Sequence, residues 1–242
     1  MGVLRKIASK VRNRNYQVSV ERLDLNAESD GYSIPLKKVM NLLNYTKKSG
    51  VSYSAGQFDS GYHSFDLDGH HFSGQRDPKL RFKDLPISLE GKSVLDIGCN
   101  QGGMIHAFSD DLSWGVGVDY DSRMINVANR IRSFKSSKNT DFYVFDLEQE
   151  PLDYISDMLP EARVDVVLLL SVCMWIKNWK EVIRYAESIS SHMIFETNGS
   201  EEQQGSQIAM LQSVYKKVEL IHERSEDDAS QKLRKLYYCT QG

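Results

Sequence analysis

At 242 residues, with 40% hydrophobic and 26% charged side chains, the chain is long enough for one sizeable core plus an extension. Its formal charge of −3 supplies no general attraction for polyanions, which argues against duplex nucleic acid as a partner. The longest apolar run, residues 166–176, is too short to span a bilayer, so no transmembrane segment is expected.

The charge is unevenly placed. Residues 1–50 hold ten Lys/Arg against four Asp/Glu, whereas the remainder holds twenty against twenty-nine. Val3, Leu4, Ile7 and Val11 recur at helical spacing among Arg5, Lys6, Lys10, Arg12 and Arg14, which predicts a short basic amphipathic helix. Such a leader suits contact with phosphate, RNA or a membrane surface, or is simply a solvated helix; an acid-free, Arg-rich start also suits an organellar transit peptide. It lacks the continuous apolar core of a signal peptide, and Lys6 excludes a myristoylation site. Cys99, Cys173 and Cys239 are scattered and odd in number, so neither a disulfide framework nor a metal spacing emerges, and a reducing cytoplasm is expected.

A second helix is predicted from Ser33 to Lys48, with Leu36, Val39, Met40, Leu42 and Leu43 on its apolar face and Ser49-Gly50 ending it. Residues 53–82 crowd aromatics, histidines and arginines into a glycine-punctuated stretch. Two readings stand: a lid that folds over strand ends, or a surface hairpin in which Phe65–Gly69 turns into His70-His71-Phe72. His70-His71 has no third ligand at a metal-binding spacing and is read as a solvated pair, so no metal is expected.

Residues 89–97 read as the first core strand, breaking into the turn Gly98-Cys99-Asn100-Gln101-Gly102 before a helical pattern through Met104, Ile105 and Phe108. Strand, glycine turn and helix in that order bring backbone close to a small ligand at a strand's carboxyl end. Residues 114–119 form the next strand, and its terminal Asp119 lies twenty-three positions after Asp96, an interval at which a carboxylate accepts both ribose hydroxyls. Asp121 starts a helix with an N-cap signature; Tyr120 and Met124 either receive an adenine ring or pack in the core. Residues 141–147 form a third strand ending Phe145-Asp146-Leu147. Residues 164–170, apolar but for Asp165, read as a central parallel strand that empties into Ser171–Trp179, where Trp175 walls a pocket or fills the core. A helix over Val182, Ile183, Ala186 and Ile189, a strand at 192–196, a further helix through Ile208, Leu211 and Val214, and a closing antiparallel pair at 217–223 and 232–240 complete the pattern.

The spacing Asp96-x-Gly98-x-Asn100-x-Gly102 resembles motif I of the class I S-adenosylmethionine-dependent methyltransferases, with Asn100 at the middle glycine. That resemblance implies an α/β, Rossmann-like class I methyltransferase fold: a seven-stranded sheet with an antiparallel last strand, plus an N-terminal helical and lid extension. The expected division is 1–85 for the extension and 86–242 for the S-adenosylmethionine-binding domain. The implied cofactor is S-adenosyl-L-methionine, held by Asp96, Gly98, Asn100, Gly102, Asp119, Tyr120, Asp146, Leu147 and Ser171, with Asp146 on the adenine amino group.

The N/D-P-P-Y signature of nitrogen methylation is absent after the 164–170 strand, and no Lys-Asp-Lys-Glu tetrad of ribose methylation is evident. From about Gly61 to Asn198, the order G-Y-x-x-F, G-Q-R-D-P-x-L-R, L-D-I-G-C-N-x-G, L-S-V-C-M-W and F-E-T-N is similar to the bicoid-interacting and methylphosphate-capping methyltransferases, which would imply a terminal RNA phosphate as acceptor. The expected activity is methyl transfer to an oxygen of an anionic or hydroxylic acceptor, whether phosphate, carboxylate or sugar, carried by a small molecule, glycan or RNA end. Arg76, Trp175 and Glu196 are the candidate catalytic residues. The alternative is a cofactor-binding partner subunit without catalysis.

Overall fold

The computed structural model describes residues 22–26, 31–47, 57–228 and 233–242. The basic helix expected over residues 3–11 lies outside them, as do residues 53–56 of the aromatic segment. The chain divides into two units, Met1–Asp77 and Pro78–Gly242.

The first unit opens its described part with helix α1, Ile34–Thr46. Ser33 caps it by accepting the Leu36 amide, Pro35 sits in the first turn where no amide is needed, and Leu36, Val39 and Leu43 form its buried stripe. Four short strands follow: β1 Gly61–His63, β2 Phe65–Leu67, β3 His70–Phe72 and β4 Gly74–Arg76. β2 and β3 make the anticipated hairpin, turning through Asp68 and Gly69, both at positive φ. β1 and β4 pair in parallel, which the sequence did not suggest. Gly74 is fixed by that pairing, because a Cβ there would overlap the His63 carbonyl carbon at 2.1 Å.

The second unit begins with the single turn α2, Pro78–Arg81, and then alternates strand and helix. Its elements are β5 Ser93–Ile97, α3 Gly103–Phe108, β6 Trp114–Asp119, α4 Ser122–Lys135, β7 Thr140–Val144, β8 Val166–Leu170, α5 Trp179–Ile189, β9 His192–Glu196, α6 Glu201–Val214, β10 Lys217–His222 and β11 Leu236–Thr240. The seven strands are ordered β10-β11-β9-β8-β5-β6-β7; all neighbours are parallel except β11, which runs against both β9 and β10.

Period-two alternation sends side chains to both faces of this sheet. Leu95, Ile97, Val167, Leu169, Met193 and Phe195 join one buried cluster, whereas Val94, Val166, Leu168 and Ile194 join the other. β8 is therefore buried at every position, as a central parallel strand must be. α5 lays Val182, Ile183, Ala186 and Ile189 into the first cluster, and α4, capped by Asp121, lays Ile125 and Ala128 into the second. The strand order reverses between β5 and β8, so a crevice opens beyond their carboxyl ends, at Gly98 and Ser171. Every candidate cofactor residue lies at that end of the sheet.

Candidate cofactor and acceptor site

The turn after β5 is built from left-handed backbone. Gly98, Asn100 and Gly102 have φ of 80°, 52° and 71°. A side chain at Gly98 would meet Val172 Cγ2 at 2.5 Å, and one at Gly102 would meet the Phe142 ring at 2.5 Å. Close packing and left-handed backbone together therefore require glycine at both positions. Asn100 tolerates the same conformation because its Oδ1 accepts the following Gln101 amide at 2.9 Å, a local bond that valine or leucine cannot make. The turn is tied down at both ends, with the Gly98 and Cys99 amides donating to the Val118 carbonyl and the Gly102 amide donating to that of Cys99.

Asp119 closes β6 and orders this turn from outside. Its Oδ2 accepts the Asn100 amide at 2.9 Å and its Oδ1 accepts the Asp121 amide at 2.8 Å. The partly exposed carboxylate is therefore fixed in orientation. Tyr120, next in sequence, is 58% exposed, while Met124 is buried in the core. Asp146 lies just past β7 and accepts the Glu148 amide at 3.0 Å; Leu147 beside it is buried and its carbonyl accepts from Asn178.

Asp96 lies inside β5, fully buried, with Oδ2 lacking a hydrogen-bond partner among the described residues. Burial pushes its carboxyl up to about 7; the Arg81 guanidinium opposes that rise and the Asp119 carboxylate adds to it. A buried acceptor without a donor, one residue before a glycine-rich turn, fits a ligand carrying an ammonium group. With the oriented Asp119 carboxylate, where the resemblance expects a ribose diol, these residues fit S-adenosylmethionine, whose sulfonium would supply an electrophilic methyl group when bound.

Beyond β8 and β9 lies a polar network. Ser171 adopts φ of 62°, and its hydroxyl donates to Glu196 Oε2. Ser225 donates to Glu196 Oε1 at 3.3 Å, and Arg234 Nη1 lies 3.9 Å from Oε2. Arg81 Nη2 stands 2.7 Å from the same oxygen, an ion pair by distance without hydrogen-bond alignment, since Arg81 Nε and Nη2 have no hydrogen-bond partner among the described residues. Glu196 is 1% exposed. Asn198 donates to the Ser171 carbonyl and accepts the Met174 amide at 3.0 Å, pinning the turn Cys173–Trp175. On that turn Trp175 is 59% exposed.

The structure therefore gathers Asp96, Gly98, Asn100, Gly102, Asp119, Tyr120, Asp146, Leu147, Ser171, Trp175 and Glu196 at the carboxyl ends of the parallel strands. Arg76 belongs to the first unit, where it ends β4 and is fully buried. Sequence reasoning passed over Arg234, Ser225 and Asn198. Each is recognisable only through a partner distant in the chain, and nothing local marks it.

A family model described as methyltransferase domain matches residues 88–238, well over half of the chain. No curated protein is similar to it in sequence. Among solved structures, the N-terminal domain of EvdMO1 with S-adenosylhomocysteine bound superposes with a TM-score of 0.56 at 14% identity, covering 73% of this chain and 90% of that one. The same domain in the presence of S-adenosylhomocysteine and D-fucose gives 0.55 at 15%, covering 73% and 89%. The bifunctional kinase-methyltransferase WbdD gives 0.50 at 21%, covering 62% of this chain and 35% of that one. At such identities the solved structures speak for the fold alone; the sequence match, the left-handed glycine turn and the unmatched Asp96 oxygen make the chain a member of the methyltransferase-domain family and a class I S-adenosylmethionine-dependent methyltransferase.

Proposed function

We propose that this enzyme methylates an anionic oxygen, phosphate or carboxylate, on a small molecule or glycan. The observation that carries the reading is the engagement of Glu196. Its two oxygens take the hydroxyls of Ser171 and Ser225, and its charge faces Arg81 and Arg234. A carboxylate held in this way is an anchor rather than a poised base. An anionic oxygen needs no proton removal; it needs orientation in line with the methyl group, and positioning supplies most of the rate of such a displacement.

Trp175, exposed on the turn after β8, is proposed as a wall for the acceptor, whose phosphate or carboxylate a guanidinium would orient in a bidentate manner. The presence of D-fucose with the EvdMO1 domain supports carrying a sugar-bearing acceptor over to this chain. The terminal phosphate of RNA belongs to the same chemical class.

The test is release of S-adenosylhomocysteine from S-adenosylmethionine with panels of sugar phosphates, carboxylates, neutral glycosides and RNA 5′-monophosphates. Turnover with an anionic panel and a rate flat with pH once the acceptor is ionised is the expected result. A rate rising along a single enzyme ionisation with neutral glycosides alone would replace it with base-assisted transfer to a hydroxyl. Cofactor binding without turnover on any panel would favour the non-catalytic partner subunit.

A further inference from the structure

We propose that Arg234 is the guanidinium that takes the anionic group of the methyl acceptor, a phosphate or carboxylate, beside the carboxyl end of β8. The inference rests on the reading of the chain as an enzyme acting on an anionic oxygen, and it assigns the binding of that oxygen to one residue.

The backbone is anchored on both sides of Arg234. The Leu233 carbonyl accepts from Gln204 Nε2 of α6 at 2.9 Å. Lys235 makes two bonds with Thr197, the residue after β9: its amide donates to Thr197 Oγ1 at 2.8 Å, and its carbonyl accepts the Thr197 amide at 2.9 Å. Thr197 and Gln204 are both buried and joined to each other, the Thr197 hydroxyl donating to Gln204 Oε1 at 2.6 Å. An arginine carried on so fixed a segment has little backbone freedom left to lose when it binds a ligand.

The side chain is mostly enclosed but not used up. It is 13% exposed and donates one hydrogen bond among the described residues, from Nη1 to Ser171 Oγ at 3.3 Å. Glu196 Oε2 and Asp228 Oδ2 each stand 3.9 Å from the same nitrogen, so they balance its charge without accepting a hydrogen bond. Arg81 differs, since it lies 2.7 Å from Glu196 with its Nε and Nη2 sealed inside the protein. No Arg234 nitrogen is among the buried atoms that lack a partner, so its uncommitted donors are not walled in. Such donors on one planar guanidinium match the two oxygens of a phosphate or carboxylate. Ser171, the bonded neighbour, follows β8 directly, where the crevice opens. Glu196 already has Arg81 as its close partner, which leaves Asp228 as the internal competitor that an arriving anion displaces.

The experiment is calorimetric titration of inorganic phosphate, and separately of acetate, into the full chain saturated with S-adenosylhomocysteine. The natural protein should bind one phosphate per chain. Arg234→Gln should bind it about tenfold more weakly or worse, the scale of a lost charge-assisted hydrogen bond, with unchanged affinity for S-adenosylhomocysteine. Arg234→Lys should fall between the two, because an ammonium keeps the charge and lacks the fork. Asp228→Asn removes the competing charge and should tighten phosphate binding, a direction that a merely structural Arg234–Asp228 pair does not give.

Phosphate bound as tightly by Arg234→Gln as by the natural protein would overturn the assignment and leave the anionic-acceptor reading standing. So would an equal loss of S-adenosylhomocysteine affinity in Arg234→Gln, which would reduce Arg234 to a prop of the whole site, or unchanged or weaker phosphate binding in Asp228→Asn. Binding of neither anion by the natural complex would strike the anionic-acceptor reading itself, and the assignment with it.

Discussion

The Asn100 amide donates to Asp119 Oδ2 over 2.9 Å, so the left-handed turn after β5 and the acid that closes β6 form one hydrogen-bonded unit. The same carboxylate also holds the Asp121 amide that begins α4. The shape of the loop and the start of α4 therefore depend on a single side chain, the one expected to take the ribose.

Asp119→Ala should cost about 2–4 kcal/mol of S-adenosylhomocysteine binding, the range for removing a charged hydrogen-bond partner. Asp119→Asn keeps one carbonyl acceptor and should lose less. Calorimetry separates the two, and unchanged affinity in the alanine variant would remove Asp119 from the site. NAD, which shares the ribose but not the amino-acid end, should leave the melting temperature where it is, whereas S-adenosylhomocysteine should raise it.

Asn100 yields a second expectation. At φ of 52° glycine is unstrained and asparagine is helped by its own bond to Gln101, whereas a β-branched residue has neither advantage. Asn100→Gly should change stability by no more than a few tenths of a kcal/mol. Asn100→Val should cost about 1–3 kcal/mol, the usual scale for a non-glycine residue forced into this region. Denaturant midpoints of the two variants check the difference, and a valine variant as stable as the parent would mean that the turn adopts another shape.

The second unit was legible in the sequence because its signals are local. An unbroken run such as Val166–Leu170, a glycine turn after Ile97 and a capping Asp121 each declare an element by themselves, and the right-handed rule for parallel crossovers limits how they assemble. Strand ends were less sharp: the third strand runs from Thr140 to Val144, not to Leu147, because β6 ends at Asp119 and the Phe145 amide, donating to the Asp119 carbonyl, makes the last rung of the ladder. The parallel pairing of β1 with β4 was invisible, since three-residue strands show no period and their partnership is set by contacts between segments. The Arg81–Glu196 pair was hidden for the same reason: its members are far apart in sequence and meet only when β9 is in the sheet. Burial of such charges is a property of the fold, which composition cannot reveal.

The last expectation concerns pH and the protein without ligand. Asp96 has its folded carboxyl raised to about 7 from an ordinary 3.8, mainly by burial. Folding therefore takes up a proton between those values, so this group's contribution is fully present below about pH 4 and is lost as the pH rises through about 7. His106 acts in the opposite sense. It is buried, its Nε2 lies 3.0 Å from the Ala128 carbonyl, and burial lowers it to about 3 from 6.5. Its contribution is present above about pH 6.5 and is lost on acidification toward about 3. Across the shared interval the two slopes oppose each other, and the ligand-free protein should show a nearly flat stability between about pH 4.5 and about pH 6.5. Asp96→Asn removes one slope and a buried negative charge together. That variant should melt higher than the parent near pH 8, fall steadily in stability on acidification below about 6.5, and bind S-adenosylhomocysteine poorly at every pH. Thermal melts across pH with and without the ligand test all three, and an Asp96→Asn protein less stable than the parent at pH 8 would show that the carboxylate is already paired before the cofactor arrives.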